Sequence, residues 1–119
     1  MKPVWLLGVP VYTVDRAQAL ECAGRFVESG EPHLIVTADA SALILARRDP
    51  EFRQIVKAAS LVTADGIGVV QALRMMGRPI ADRVCGADLV VDLSGIAAAR
   101  GWSIFLLGSA PGVAEAAAR

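Results

Sequence analysis

Apolar positions along the chain form short runs, separated by longer stretches in which apolar residues recur every three or four positions. Val4–Leu7 and Val9–Tyr12 are two such runs, interrupted by Gly8 and Pro10, and they predict strands. Thr13 is a good N-cap with Asp15 in the first turn. Leu20, Ala23 and Val27 then give a helical stripe up to Ser29, where Gly30 supplies the stop. Leu34–Thr37 reads as a short buried strand and Ser41–Arg48 as a helix. Asp49-Pro50 opens another helix, with Phe52, Ile55, Val56 and Ala59 as its stripe. Leu61–Ala64 is the next strand. Gly66–Met76 is the next helix, ended by Gly77 and Pro79. Asp88 is placed to cap a helix whose stripe is Leu89, Val90, Leu93, Ile96 and Ala97, closed by Gly101. Trp102–Leu107 is the most strand-like run, and Gly108 to Gly112 turn into a last helix, Val113–Arg119.

Helices separate the strands and no two-residue hairpin turn stands out. This alternation predicts an α/β fold: a Rossmann-like, mostly parallel sheet with helices on both faces. The 119 residues suit one domain, 1–119. The strands are few for a parallel sheet and the sequence stops inside a helical stretch, so the chain reads as truncated at its C-terminal side. One short echo links Val36-Thr37-Ala38-Asp39-Ala40 to Val62-Thr63-Ala64-Asp65-Gly66, two strands that each end in an acid.

Composition adjusts this picture in three ways. Hydrophobic residues make up 55% and mean hydropathy is +0.51. That implies tight helix-on-sheet packing, or apolar surface that a partner covers. Twelve basic residues balance twelve acidic ones without a basic cluster, which argues against nucleic acid as a ligand. Cys22 and Cys85 lack metal-type spacing and read as reduced thiols. The apolar opening is broken by Gly8 and Pro10 and too short to span a bilayer, so the expected location is the cytoplasm.

Ligands of parallel α/β sheets bind beyond the carboxyl ends of the strands. Three loops qualify: Thr37–Ser41, Asp65–Gly68 and Gly108–Gly112. Asp65 follows an apolar strand. Gly66 and Gly68 would let backbone approach a ligand, and the next helix would aim its first amides at an anion. A carboxylate there could take a proton from a sugar hydroxyl; on pattern alone, an N-cap is the plainer account. Thr37 could bind a sugar or phosphate oxygen, and Asp39 again fits a cap. Arg83 could hold a diphosphate, or could pair with Asp82 or Asp88 on the surface. The Gly108 turn lacks both the dinucleotide fingerprint and the Lys of a phosphate loop, so a plain tight turn serves as well. No Asp-x-Asp pair suggests a metal-bound nucleotide sugar, and His33, the only histidine, reads as structural.

In order and spacing these segments resemble the WecG/TagA/CpsF glycosyltransferases. The resemblance runs through Leu7-Gly8-Val9-Pro10-Val11, Thr37, Arg48 to Phe52, Ala64 to Val70, Gly77, Arg83 to Leu89, Gly101, and Phe105 to Ala114. It implies an inverting transfer, with no bound metal and no cofactor, from a UDP-sugar such as UDP-N-acetylmannosamine. The acceptor would be a sugar on a polyprenyl diphosphate, and the products feed teichoic acid, common antigen, capsule or exopolysaccharide. By resemblance Asp65 is the catalytic base. Thr37, position 39, Gly66, Gly68, Arg83, Gly86 and Gly108 belong to the substrate site, with Arg83 facing the diphosphate. Self-association is implied too, as is peripheral contact of the full-length protein with the inner face of the cell membrane, through a basic C-terminal region that this chain does not include. Asp39 departs from the family's usual Asn, and a carboxylate there would repel a diphosphate unless protonated or turned away. Family members also continue past this C-terminal end.

Two other readings compete. A non-catalytic Rossmann-like module would bind a nucleotide or a partner without turnover. An NAD-dependent dehydrogenase would need the full glycine fingerprint and an acid roughly 20 residues later, and Gly108 has neither.

Overall fold

The computed structural model describes residues 2–80 and 82–119. The chain opens with two short strands, β1 (Val4–Leu6) and β2 (Val9–Val11), which pair antiparallel with Leu6 opposite Val9. Leu7 and Gly8 make the turn with φ of 49° and 81°, the double left-handed geometry of a two-residue hairpin. The sequence reading found no such turn, because Leu is an unusual residue for the first left-handed position. Holding it there costs about 1 kcal/mol, overridden by burial of Val4, Leu6, Val9 and Val11 on the same core.

Helix α1 (Arg16–Ser29) starts at Asp15, not Thr13. The Asp15 carboxylate accepts from the Gln18 amide while the Gln18 side chain accepts from the Asp15 amide, a reciprocal capping box. The rest of the chain contributes β3 (Ile35–Ala38), α2 (Ala40–Arg48), α3 (Pro50–Ala58), β4 (Leu61–Ala64), α4 (Ile67–Met75), α5 (Gly86–Arg100) and α6 (Val113–Ala117). Asp49 caps α3 ahead of Pro50, as the sequence implies. Gly30, Gly77 and Gly101 take the left-handed conformation that ends α1, α4 and α5. Helix α5 begins earlier than an Asp88 cap would allow: Cys85 is its N-cap and Asp88 lies in its first turn.

β3 and β4 are parallel, and their register explains the echo in the sequence. Val36 faces Val62, Thr37 faces Thr63 and Ala38 faces Ala64, so the two similar segments lie side by side. A parallel bridge between Tyr12 and Thr63, with the Tyr12 amide donating to the Val62 carbonyl at 2.8 Å, joins the end of β2 to the other edge of β4. Alternate residues of β4 enter different cores. Val62 and Ala64 pack with Leu43, Val56, Val69 and Leu73 of α2, α3 and α4. Leu61 packs with Ala19 and Cys22 of α1 and Leu89 of α5. The parallel pair therefore carries helices on both faces, as period-two alternation requires. On the second face Arg16 of α1 grips Asp92 of α5 through two hydrogen bonds, and Arg100 pairs with Glu28. The Arg16 guanidinium holds the Asp92 carboxyl below its usual range.

The architecture is mixed α/β, with a smaller sheet than the sequence predicts. Among the described residues it comprises one antiparallel and one parallel pair, and not a full Rossmann-like sheet. The main difference is Trp102–Leu107, which forms neither strand nor helix. Apolar character makes a run strand-like, but a strand also needs a ladder partner, and among the described residues no backbone forms a ladder with this one. Phe105 and Leu107 are 86% and 90% exposed as a result.

Thr63 is fully buried and its hydroxyl has no hydrogen-bond partner. An orphaned buried hydroxyl costs about 1–3 kcal/mol. Thr63→Val keeps the shape and removes the unmet polarity. It is expected to raise the unfolding free energy by about 1 kcal/mol in urea titrations at unchanged slope.

Candidate functional site

Parallel pairing carries β3 and β4 to the same end, so the residues that follow them are neighbours. The Asp65 amide extends the ladder by donating to the Ala38 carbonyl at 2.9 Å. Asp39 and Asp65 thus stand at adjacent strand ends, each ahead of a helix, but their carboxylates are used differently.

Asp39 is the N-cap of α2 and accepts from the Ala42 amide at 2.8 Å. Its charge is directed at its own helix, the turned-away arrangement that a nearby anion would require. Asp65 caps nothing in α4: the N-cap there is Gly66, with no side-chain capping bond. The half-buried Asp65 carboxylate instead accepts from the Gly86 amide at 3.3 Å, across 21 positions of sequence. Gly86 is the first residue of α5, so the carboxylate faces the positive end of a 15-residue helix. Its other lone pairs have no protein donor among the described residues. An anchored carboxylate with a free acceptor face is the arrangement of a proton acceptor.

The segment that brings α5 here is fixed by one bond. The Val84 amide donates to the Ala64 carbonyl at 2.7 Å, and the Val84 side chain is buried against the α1 side of the sheet. Arg83, one residue earlier, is therefore carried past the end of β4 and has an exposed side chain. Its amide donates to Asp82, whereas its guanidinium forms no ion pair among the described residues.

Two glycines matter through space and one through conformation. A Cβ on Gly86 would lie 2.9 Å from Thr37 Oγ1, too close for any side chain without movement. Gly86 thus lets α5 approach β3 and brings Thr37 into the cluster. Gly66 has φ of 113°, outside the reach of ordinary side chains, and lies against Asp39. Gly68 sits against Ala40, keeping the starts of α2 and α4 together.

Thr37, Asp39, Asp65, Gly66, Gly68 and Gly86 thus converge, with Arg83 on the adjoining segment. Gly108 does not join them. It lies in the exposed stretch after Leu107, where a side chain would meet open space. A concavity bounded by Val90, Ser94, Ile104, Phe105, Leu106 and Ala114 shares no residue with the strand-end cluster. Thr63, the register partner of Thr37 in the repeated Val-Thr-Ala triplet, is fully buried in the strand pair.

Comparison with known proteins agrees with the order of these motifs. The model of the "Glycosyl transferase WecG/TagA/CpsF family" matches residues 4–119. The chain is similar to N-acetylglucosaminyldiphosphoundecaprenol N-acetyl-beta-D-mannosaminyltransferases of Staphylococcus aureus. Those of strains NCTC 8325 / PS 47 and COL are each 32% identical to it over 114 residues. The match takes in 94% of this chain and 45% of each relative, so the chain spans less than half the length of the curated relatives it matches.

Proposed function

The chain belongs to the WecG/TagA/CpsF glycosyltransferase family, and from that membership we propose that the cluster around Asp65 transfers a sugar from a UDP-sugar to a polyprenyl-diphosphate-linked acceptor. N-acetylmannosamine is the proposed sugar and lipid-linked N-acetylglucosamine the proposed acceptor, after the relatives' names. The observation that carries the reading is the Asp65 carboxylate, released from capping and oriented by the Gly86 amide.

The proposed reaction is a single inverting displacement without a bound metal. The acceptor hydroxyl oxygen forms a bond to the anomeric carbon while its proton passes to Asp65. The bond from that carbon to the diphosphate oxygen breaks on the opposite face, and the electron pair leaves with UDP. Arg83 then offsets the charge growing on the diphosphate. Thr37 donates to a sugar or phosphate oxygen, and Gly66 and Gly68 admit the ligand to the backbone. Gly108 remains a substrate-site residue only by resemblance. The helix-covered parallel pair supports a single Rossmann-like unit over 1–119. No helix among the described residues is long and apolar enough to cross a membrane. We place the enzyme peripherally on the cytoplasmic membrane face, where a lipid-linked acceptor is met. Exposed apolar side chains such as Phe105 and Leu107 support self-association.

Incubation with UDP-N-acetylmannosamine and a lipid-diphosphate N-acetylglucosamine should yield the disaccharide lipid and UDP. Failure with this and every other UDP-sugar, by protein that binds UDP, would favour the non-catalytic nucleotide-binding module. Arg83→Ala is expected to weaken UDP binding about tenfold, the scale of one lost charge-assisted contact, in a calorimetric titration. An unchanged affinity would return Arg83 to the role of a surface cation.

A further inference from the structure

Helix α4 leaves the site directly after Gly66, and its two faces differ in kind. Val69, Val70 and Leu73 are buried in the core. The opposite face presents Ile67, Gln71, Arg74 and Met75, positions that helical spacing brings into line. Met76 and Arg78, just past the helix end, are exposed as well. Ile67 is 69% exposed, Met75 89% and Met76 51%. Between Gly66 and Ile80 there is no acidic residue, and the only charges are Arg74 and Arg78. Neither forms an ion pair among the described residues.

Helix α2 also exposes Ile44 and Leu45 beside Arg47 and Arg48, which form no ion pair among the described residues, but these apolar side chains are only 47% and 46% exposed and Asp39 and Asp49 stand at its two ends. The remaining helices with exposed apolar residues carry acids. On α5, Val90 and Val91 stand beside Asp88 and Asp92. On α3, exposed Ile55 shares the helix with Glu51 and Lys57. Acids on those surfaces would be repelled by a negatively charged bilayer. The α4 face combines the more exposed large apolar side chains with unopposed guanidinium groups, the pairing that suits an interfacial helix on anionic lipid.

We propose that the outer face of α4 rests on the surface of an anionic phospholipid bilayer. Ile67, Met75 and Met76 enter the headgroup boundary and Arg74 and Arg78 meet lipid phosphates. The inference rests on the lipid-linked acceptor reading for its biological sense: a helix that starts beside Asp65 would hold the proton acceptor close to the lipid surface. Binding itself can be measured independently of that reading.

The full chain would be sedimented with vesicles of phosphatidylglycerol and phosphatidylethanolamine, and with phosphatidylcholine vesicles, at low and high salt. Binding should favour the anionic vesicles and weaken with salt. Arg74→Gln with Arg78→Gln should reduce affinity roughly thirtyfold, at about 1 kcal/mol per charge. Ile67→Ser with Met75→Ser and Met76→Ser should reduce it at least about tenfold. All five positions are exposed, and unchanged circular dichroism would exclude unfolding. Transfer to a water-soluble acceptor should survive in both variants, while transfer to polyprenyl acceptor in vesicles should fall. Vesicle binding with no transfer to any acceptor would overturn the enzymatic reading and keep the docking face. Equal binding to neutral lipid, or variants that bind like wild type, would overturn the docking face. Self-association lost in the Ser variant, without vesicle binding, would assign the face to a second copy of the chain and also overturn it.

Discussion

Asp65→Asn is expected to lower turnover about a thousandfold while UDP affinity stays within about twofold, because a positioned general base contributes roughly 10²–10⁴. The substitution is nearly isosteric. The amide oxygen can still accept from the Gly86 amide, so the orientation of the side chain should persist. What is lost is the ability to take a proton from the acceptor. Single-turnover rates with donor in excess, beside UDP titrations, separate the two effects. A rate near wild type would remove Asp65 from the role of base. A matching loss of UDP binding would make it a donor ligand instead.

Gly86→Ala is expected to be nearly as damaging, for a steric reason. The added methyl would lie 2.9 Å from Thr37 Oγ1 and 3.4 Å from its Cγ2. Thr is β-branched and cannot swing one branch away without advancing the other. Helix α5 must then retreat from β3, taking with it the amide that orients Asp65. Transfer should fall about tenfold to a hundredfold, the scale of a misplacement near 1 Å. Stability should drop by about 1–3 kcal/mol, as overpacking does. Adding Thr37→Ala clears the space. The double variant should recover stability by the coupling expected of touching residues. Its transfer activity should stay low, because the Thr37 hydroxyl is gone. Full recovery of transfer would give Thr37 a packing role only.

What could be read from the sequence follows from the range of the interactions involved. Leu61–Ala64 was placed to the residue because an apolar run between a helix stripe and Asp65-Gly66 has few alternatives. The α3 start at Asp49-Pro50 and the glycine stops are likewise local. The Asp15 cap also has a local sign, Gln18 three residues on, which the choice of Thr13 overlooks. The Leu7-Gly8 turn was missed because the core overrides the preference of Leu. Trp102–Leu107 was misread because pairing depends on a neighbour that composition does not reveal. At the site, motif order singled out Thr37, Asp65 and Gly86. Their connection did not show, since it depends on Gly86 meeting Thr37 and Asp65 across long stretches of chain. The capping role of Asp39 was legible; that Asp65 has none was not.

The strand pairing also sets how firmly the strand-end residues are held. Among the described residues β4 is bonded on both edges, to β3 along its length and to Tyr12 at one bridge, whereas β3 is bonded on one. Asp65 therefore extends from the more constrained strand and Thr37 from the less constrained one. At the strand ends, the carboxylate of Asp65 thus follows a strand held on two edges and the hydroxyl of Thr37 belongs to one held on a single edge and by the close approach of Gly86.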